Sequence, residues 1–266
     1  MECVDLRRLI WTKKRGSSGT PGSLLKAYEE LDGNRKYYKL SSIGLNNEIV
    51  GHEAINEVVI DRFLRLIGVD HLRYELVYAL IKNEDKEFNT YLCVSDDYRM
   101  KGESKIPFDL FYNRNHLDNE DIITFAKRMG FVEYMYTMFI VDFLIMNRDR
   151  HGANIEVLKD KNNQYRLSPL FDHGLSLFFS CKSDEEITKF DILKDINVNN
   201  YFGTKSLYDN LKLISKKYRF KIKKLTEEDR EFLFKDLDGV MSCLWMDRVF
   251  DLFNKRIEIY ENIRNK

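Results

Sequence analysis

The chain has 266 residues, with 43 Lys+Arg against 43 Asp+Glu, so its formal net charge at neutral pH is zero. That length exceeds a disulfide-stapled minidomain and fits one large domain or two modest lobes around a cleft. Hydrophobic residues at 44% and aromatics at 13% exclude a wholly disordered chain, and the balanced charge argues against dominant non-specific nucleic-acid binding.

No apolar run approaches the roughly 18 residues that mark a membrane span; Phe139-Ile140-Val141, for example, stops at Asp142. Residues 1–5 carry neither the basic flank nor the apolar block of a signal peptide. Cys3, Cys93, Cys181 and Cys243 stand far apart, the pattern of neither a zinc site nor a disulfide framework. The cytoplasm is the expected compartment, with secretion lacking a cleaved signal as the alternative.

In chain order, residues 14–23 form a loop of small residues, among them Gly16, Ser17, Ser18, Gly19 and Gly22, which can bring several backbone N–H groups together. After a turn at Asp32-Gly33-Asn34, Tyr37 and Tyr38 mark a strand that carries Lys39. Over 53–66, Ile55, Val58, Val59, Phe63 and Leu66 recur at helical spacing, Gly68 supplies a stop, and Glu53, Glu57 and Asp61 share another face. Residues 74–81 and 89–94 read as a hairpin. Beyond Pro107, helices fit 121–129, 133–146, 206–217, 227–234 and 237–265. The expected class is α+β with two lobes: a small mixed sheet lobe over 1–105, a larger helical lobe over 106–266, and a cleft near 94–107.

The most informative stretch is Asn147-Arg148-Asp149-Arg150-His151-Gly152-Ala153-Asn154. A strand over 155–158, a turn over 160–163 and a second strand over 165–171 follow, then Asp172-His173-Gly174. With the turn centred near Asn163, Asn154 and Asp172 each lie nine residues from it, so a hairpin brings both to one open end, with Asp149 beside them. These oxygen donors suit Mg²⁺, which keeps several waters and also takes substrate phosphates; alternatively, Asp149 accepts a proton from an attacking hydroxyl. His151 and His173 find no third zinc ligand at suitable spacing and read as satisfied histidines that brace the loops.

Asp149 and Asn154 have the spacing of a kinase catalytic loop, Arg148-Asp149 matches its Arg-Asp pair, and Asp172-His173-Gly174 stands where Asp-Phe-Gly is expected. With Tyr37-Tyr38-Lys39-Leu40 and Asn56-Glu57 upstream and Asp149-Arg150-His151 in the loop, residues 14–180 resemble the HipA-like serine/threonine kinases. The resemblance implies a protein-kinase-like fold in which Lys39 contacts ATP phosphates and pairs with Glu57, with Glu53 one turn earlier as the rival. It makes Asp149 the catalytic base and Asn154 and Asp172 the Mg²⁺ ligands. It puts Gly16, Ser17, Ser18 and Gly19 in the phosphate-covering loop, and the connector over 91–98, with Val94, offers its backbone to adenine. Ser17, Ser18, Thr20 and Ser23 become candidate autophosphorylation sites. The loop departs from the known patterns, since Gly16, Gly19 and Gly22 match neither G-x-G-x-x-G nor the P-loop.

The expected activity is ATP- and Mg²⁺-dependent transfer of a phosphoryl group to Ser or Thr hydroxyls of a protein. A small-molecule or phosphoinositide kinase, a nucleotide-binding module without transfer activity, and a metal hydrolase using Asp149, His151, Asp172 and His173 are the rivals. The basic run Lys212, Lys216, Lys217, Arg219, Lys221, Lys223 and Lys224 reads first as a solvated surface, and otherwise as a site for an acidic protein or RNA.

Overall fold

A computed structural model describes residues 1–14, 21–44 and 49–264 of the chain. The first part holds β1 (Cys3–Asp5), β2 (Thr12–Lys14), β3 (Pro21–Leu31), β4 (Asn34–Leu40), α1 (Glu53–Leu66), β5 (Glu75–Asn83) and β6 (Lys86–Asp96). Its strands form one six-stranded sheet in the order β1-β5-β6-β4-β3-β2, antiparallel except for β1 against β5. Side chains alternate across it, as the pleat requires. Leu92 and Val94 of β6 join Tyr38, Leu40, Ala79 and Ile81 in a core on one face. Cys93, between them, packs on the other face with Tyr74 and with Ala54 and Val58 of α1.

The rest of the chain supplies β7 (Ser104–Pro107), α2 (Phe108–Asn115), α3 (Ile122–Arg128), α4 (Val132–Ile145), β8 (Asp149–Arg150), β9 (Glu156–Lys159), β10 (Tyr165–Leu167), α5 (Asp184–Lys189), β11 (Asn199–Asn200), α6 (Leu207–Lys212), α7 (Glu227–Phe234) and α8 (Cys243–Arg264). β7, β9 and β10 make a three-stranded antiparallel sheet, and β8 pairs in parallel with β11. Residues 138–145 of α4 are all buried and apolar except Asp142, so this stretch is enclosed on every side and forms the axis of the helical lobe. The large core around it takes in α8 and the far face of α1 through Ile55, Val59, Ile60, Phe63 and Leu64. Phe63 stacks on Phe253 of α8 with ring centroids 4.0 Å apart.

At its C-terminus α4 stops at Met146, whose φ of 55° turns the chain toward β8. The buried Arg256 guanidinium meets the end of α4, donating to the carbonyls of Phe143 at 2.9 Å, Ile192 at 3.0 Å and Lys194 at 3.0 Å. It thereby adds a second donor to a helix-end carbonyl that also accepts from the Met146 N–H at 3.3 Å.

Several boundaries differ from the sequence expectation. The loop expected over 14–23 ends earlier, because β3 begins at Pro21. The helix expected over 206–217 stops at Lys212. The one expected from 237 begins at Cys243, since Asp236 and Gly239 take left-handed backbone with φ of 62° and 76°. The second hairpin strand, expected over 165–171, ends at Leu167. We expect Phe63→Ala to cost about 3–5 kcal/mol in denaturant unfolding, against less than about 0.5 kcal/mol for Leu117→Ala at an exposed position.

Candidate active site

Helix α1 and Lys39 of β4 both reach the Asp172 segment from the sheet lobe. The spacing of four between Glu53 and Glu57 puts both carboxylates on one face, but they have different partners. Glu57 Oε1 accepts from Lys39 Nζ at 2.5 Å, and its Oε2 accepts from the backbone N–H of His173 at 2.8 Å. Glu53 turns to the Ser42 N–H at 2.9 Å and to the Ser42 hydroxyl, so Glu57 is the partner of Lys39. Lys39 also donates to Asp172. Burial alone would lower the lysine pKa; the Asp172 and Glu57 carboxylates reverse this and hold it above its ordinary value.

Asn56, beside Glu57, donates to the carbonyls of Gly174 at 2.9 Å and Ser176 at 3.0 Å. Gly174 permits this approach, since a Cβ there would lie 3.1 Å from Glu53 Cβ and 3.3 Å from the Glu53 carbonyl oxygen. Asp172 itself has φ of 61°, a left-handed conformation that costs a residue with a Cβ roughly 1–2 kcal/mol. It is fixed on both sides: Arg150 donates to the Phe171 carbonyl at 2.7 Å, and the His173 N–H is held by Glu57. Arg150 is buried and paired with Asp142 at 2.8 Å, which neutralises it and aims its remaining donor.

Asp149 sits in β8. Its N–H donates to Asn147 Oδ1 at 3.1 Å, and its Oδ1 accepts from Asn199 Nδ2 at 3.0 Å. Asn199 arrives through the parallel pairing of β11 with β8. Asn154 Nδ2 donates to the Asp149 carbonyl at 3.0 Å, which fixes the amide orientation and leaves its buried Oδ1 without a hydrogen-bond partner among the described residues. His151 Nδ1 accepts from the Ala153 N–H at 3.1 Å and braces the turn, as expected. His173 differs from that expectation: its backbone braces α1, but its buried ring Nε2 has no hydrogen-bond partner among the described residues. Burial, then the nearby Arg150, pushes that imidazole well below its ordinary pKa.

Lys39, Asp149, Asn154 and Asp172 line one cavity together with Leu24 and Lys26. The register of β3 on β4 sets Lys26 opposite Lys39. A larger adjoining cavity of about 380 Å³ shares Lys26, Lys39, Asn154 and Asp172 and continues between Tyr74, Tyr98, Phe171 and Lys105, within the size range of small-molecule sites. Tyr98 stacks on Phe171 at 5.7 Å and donates to Glu156, while Lys105 lies over the Tyr98 ring at 4.3 Å and 3.5 Å from Glu156. Val94 does not line this cavity. Its side chain points into the core on the opposite face of the sheet, and Cys93 and Ser95 line the cavity in its place. Gly16, Ser17, Ser18 and Gly19, with Thr20, lie outside the described residues.

Among the described residues, no three or more His, Cys, Asp or Glu gather to hold a metal ion, and His151 and His173 form no such centre with Asp149 and Asp172. The cavity offers oxygen donors alone: Asp149, Asp172 and the unpartnered Oδ1 of Asn154. A sparse oxygen set fits Mg²⁺, which binds through one or two carboxylates and completes its octahedron with water and phosphate.

Sequence reasoning did not anticipate Arg150 as the brace of Phe171, Asn56 as the clamp on Gly174, or Asn199 beside Asp149. Asn56 and Arg150 lay within the motifs already singled out, but nothing in their spacing shows which carbonyl each meets. Asn199 carried no signal, being 50 residues from its partner.

No family model matches the chain, and no curated protein matches it. Among solved structures, the fold is similar to that of the Helicobacter pylori proinflammatory kinase CtkA, with a TM-score of 0.62 and 15% identity over 99% of this chain and 98% of that one. The HipA protein of a Shewanella oneidensis MR-1 toxin–antitoxin system, in complex with HipB and its operator DNA, aligns at a TM-score of 0.44 and 13% identity, covering 96% of this chain and 68% of that one. The fold is therefore kinase-like, with a sheet lobe and a helical lobe, and the likeness to CtkA runs through the helices beyond residue 180.

The ammonium of Lys39 separates two carboxylates, which gives a signed prediction. Lys39→Met leaves Glu57 and Asp172 facing each other and is expected to cost about 3–5 kcal/mol at neutral pH. Glu57→Gln keeps the Lys39–Asp172 pair and should cost clearly less. Chemical denaturation of the two variants checks the order, and equal costs would show that the ammonium does not hold the cluster together.

Proposed function

We propose that this protein is an ATP- and Mg²⁺-dependent kinase that transfers the γ-phosphoryl group to Ser or Thr hydroxyls of a protein. The reading rests above all on Lys39, buried between Glu57 and Asp172, opening onto the same cavity as Asp149 and Asn154. A lysine so placed serves phosphate, because its charge is held at neutral pH and its position is fixed by α1. The kinase-like fold supports the reading as well.

Lys39 binds and orients the phosphates, with Lys26 adding positive charge from the neighbouring strand. Asp149 orients the acceptor hydroxyl and takes its proton on the carboxylate, which Asn199 holds by one oxygen. Asn154 and Asp172 would hold Mg²⁺, which supplies neutralisation of the charge developing on the phosphate oxygens. The apolar cavity between Tyr74, Tyr98 and Phe171 receives the base and excludes water from it.

The test is incubation of the purified chain with γ-labelled Mg-ATP, alone and with a cell lysate, followed by mapping of phosphorylated residues. Asp149→Ala should lower incorporation by roughly 10²–10⁴-fold while Mg-ATP still raises the melting temperature. Undiminished incorporation would overturn the role of Asp149. Thermal stabilisation with no transfer by the unmodified chain would make the protein a nucleotide-binding module instead.

A further inference from the structure

Between α6 and α7 the chain carries Lys216, Lys217, Arg219, Lys221, Lys223 and Lys224, with no acidic residue from 213 to 226. All six side chains are exposed, whereas Tyr218, Phe220, Ile222 and Leu225 between them pack into or against the core of the helical lobe. Inward apolar residues thus alternate with outward cations through 218–223, although no helix or strand covers the segment.

The backbone that carries these charges is fastened down. The Tyr260 hydroxyl donates to the Phe220 carbonyl at 2.8 Å, and Arg264 donates to the carbonyls of Ser215 at 2.6 Å and Tyr218 at 2.9 Å. The N–H groups of Ile222 and Leu225 donate to Glu261 at 3.2 Å and Asn254 at 2.8 Å on α8. Lys212 pairs with Asp209, but none of Lys216, Lys217, Lys221, Lys223 and Lys224 forms an ion pair among the described residues. Ordering of this stretch is therefore met by folding, and a ligand would not have to supply it.

Three observations define the occupant. No large apolar side chain of 213–226 is exposed, so nothing inserts into a bilayer, and Tyr218 and Phe220 are spent on the core and offer no platform for stacking bases. Carboxylates border the strip: Glu261 beneath Ile222, and Glu227 and Glu228 at the start of α7. Those borders confine the positive charge to a narrow strip, which suits a single acidic chain better than a broad anionic surface such as a membrane or a duplex. In a protein of zero net charge, attraction must come from this local arrangement and not from the whole molecule.

We propose that this anchored strip of cations docks an acidic segment of a partner protein, whether or not the chain transfers phosphate. The probe is a fluorescein-labelled peptide of twelve alternating Glu and Asp residues, titrated with the full chain in anisotropy at low and moderate NaCl. Comparators are the corresponding Gln/Asn peptide, a single-stranded oligonucleotide and vesicles containing phosphatidylserine. The acidic peptide should bind at least about tenfold more tightly than its neutral counterpart, weaken with salt, and lose at least about tenfold in a K216E/K217E/K221E/K223E variant. A K82E/K101E/K127E/K182E variant of equal net charge should retain binding, and circular dichroism melts establish that both variants fold. The proposal is overturned if both variants lose binding equally, if the acidic peptide fails to bind at low salt, or if oligonucleotide or vesicle binds more tightly than the peptide.

Discussion

The Glu57 carboxylate is the constraint on which the candidate site depends. It is buried completely, and each of its oxygens reaches a different part of the chain: one the ammonium of Lys39 in the sheet, the other the N–H of His173. Burial of a carboxylate costs several kcal/mol unless its lone pairs are met, so the two contacts are needed together. Meeting that need brings Lys39 to Asp172 and fixes the peptide after Asp172, while Arg150 fixes the peptide before it. The left-handed backbone at Asp172 is then held by its neighbours, as a sparsely populated conformation requires.

What could be read in the sequence was what depends on local geometry. The face shared by Glu53 and Glu57 follows from helical periodicity, and the placing of Asn154 and Asp172 at one end from counting outward from one hairpin turn. Each of those inferences spans one element or one turn, where dihedral preferences fix direction. Glu57 against Glu53 could not be decided that way, because both share a face; Ser42, which takes Glu53, is brought there by tertiary packing. Which side chains of β6 face the cavity could not be read either: those of Cys93 and Ser95 do, and that of Val94 does not. Side chains alternate along a strand, and only the pairing of Lys39 with Cys93 tells which set faces the cleft. The contacts of Arg150, Asn56 and Asn199 join segments far apart in the chain, and no periodicity encodes them.

Helix boundaries failed for a related reason. The helix expected over 206–217 ends at Lys212, and from Tyr218 to Lys223 apolar residues alternate with cations as the chain runs along the surface of α8. Likewise the start of α8 is set by left-handed residues at 236 and 239. Asp at the first of these is not a strong marker of that conformation, whereas glycine at the second is.

The two faces of α1 are unequal, and this has a mechanical consequence. Toward the helices it commits Ile55, Val59, Ile60, Phe63 and Leu64 to the largest core of the molecule; toward the sheet it offers chiefly Ala54 and Val58, against Tyr74 and Cys93. Apolar adhesion scales with the area removed from water, and on the sheet side charge and hydrogen bonding are added to it: Lys39 of β4 meets Glu57, and Ser42 meets Glu53. α1 is thus fastened to both lobes, by its apolar residues to the helices and by its carboxylates as well to the strands.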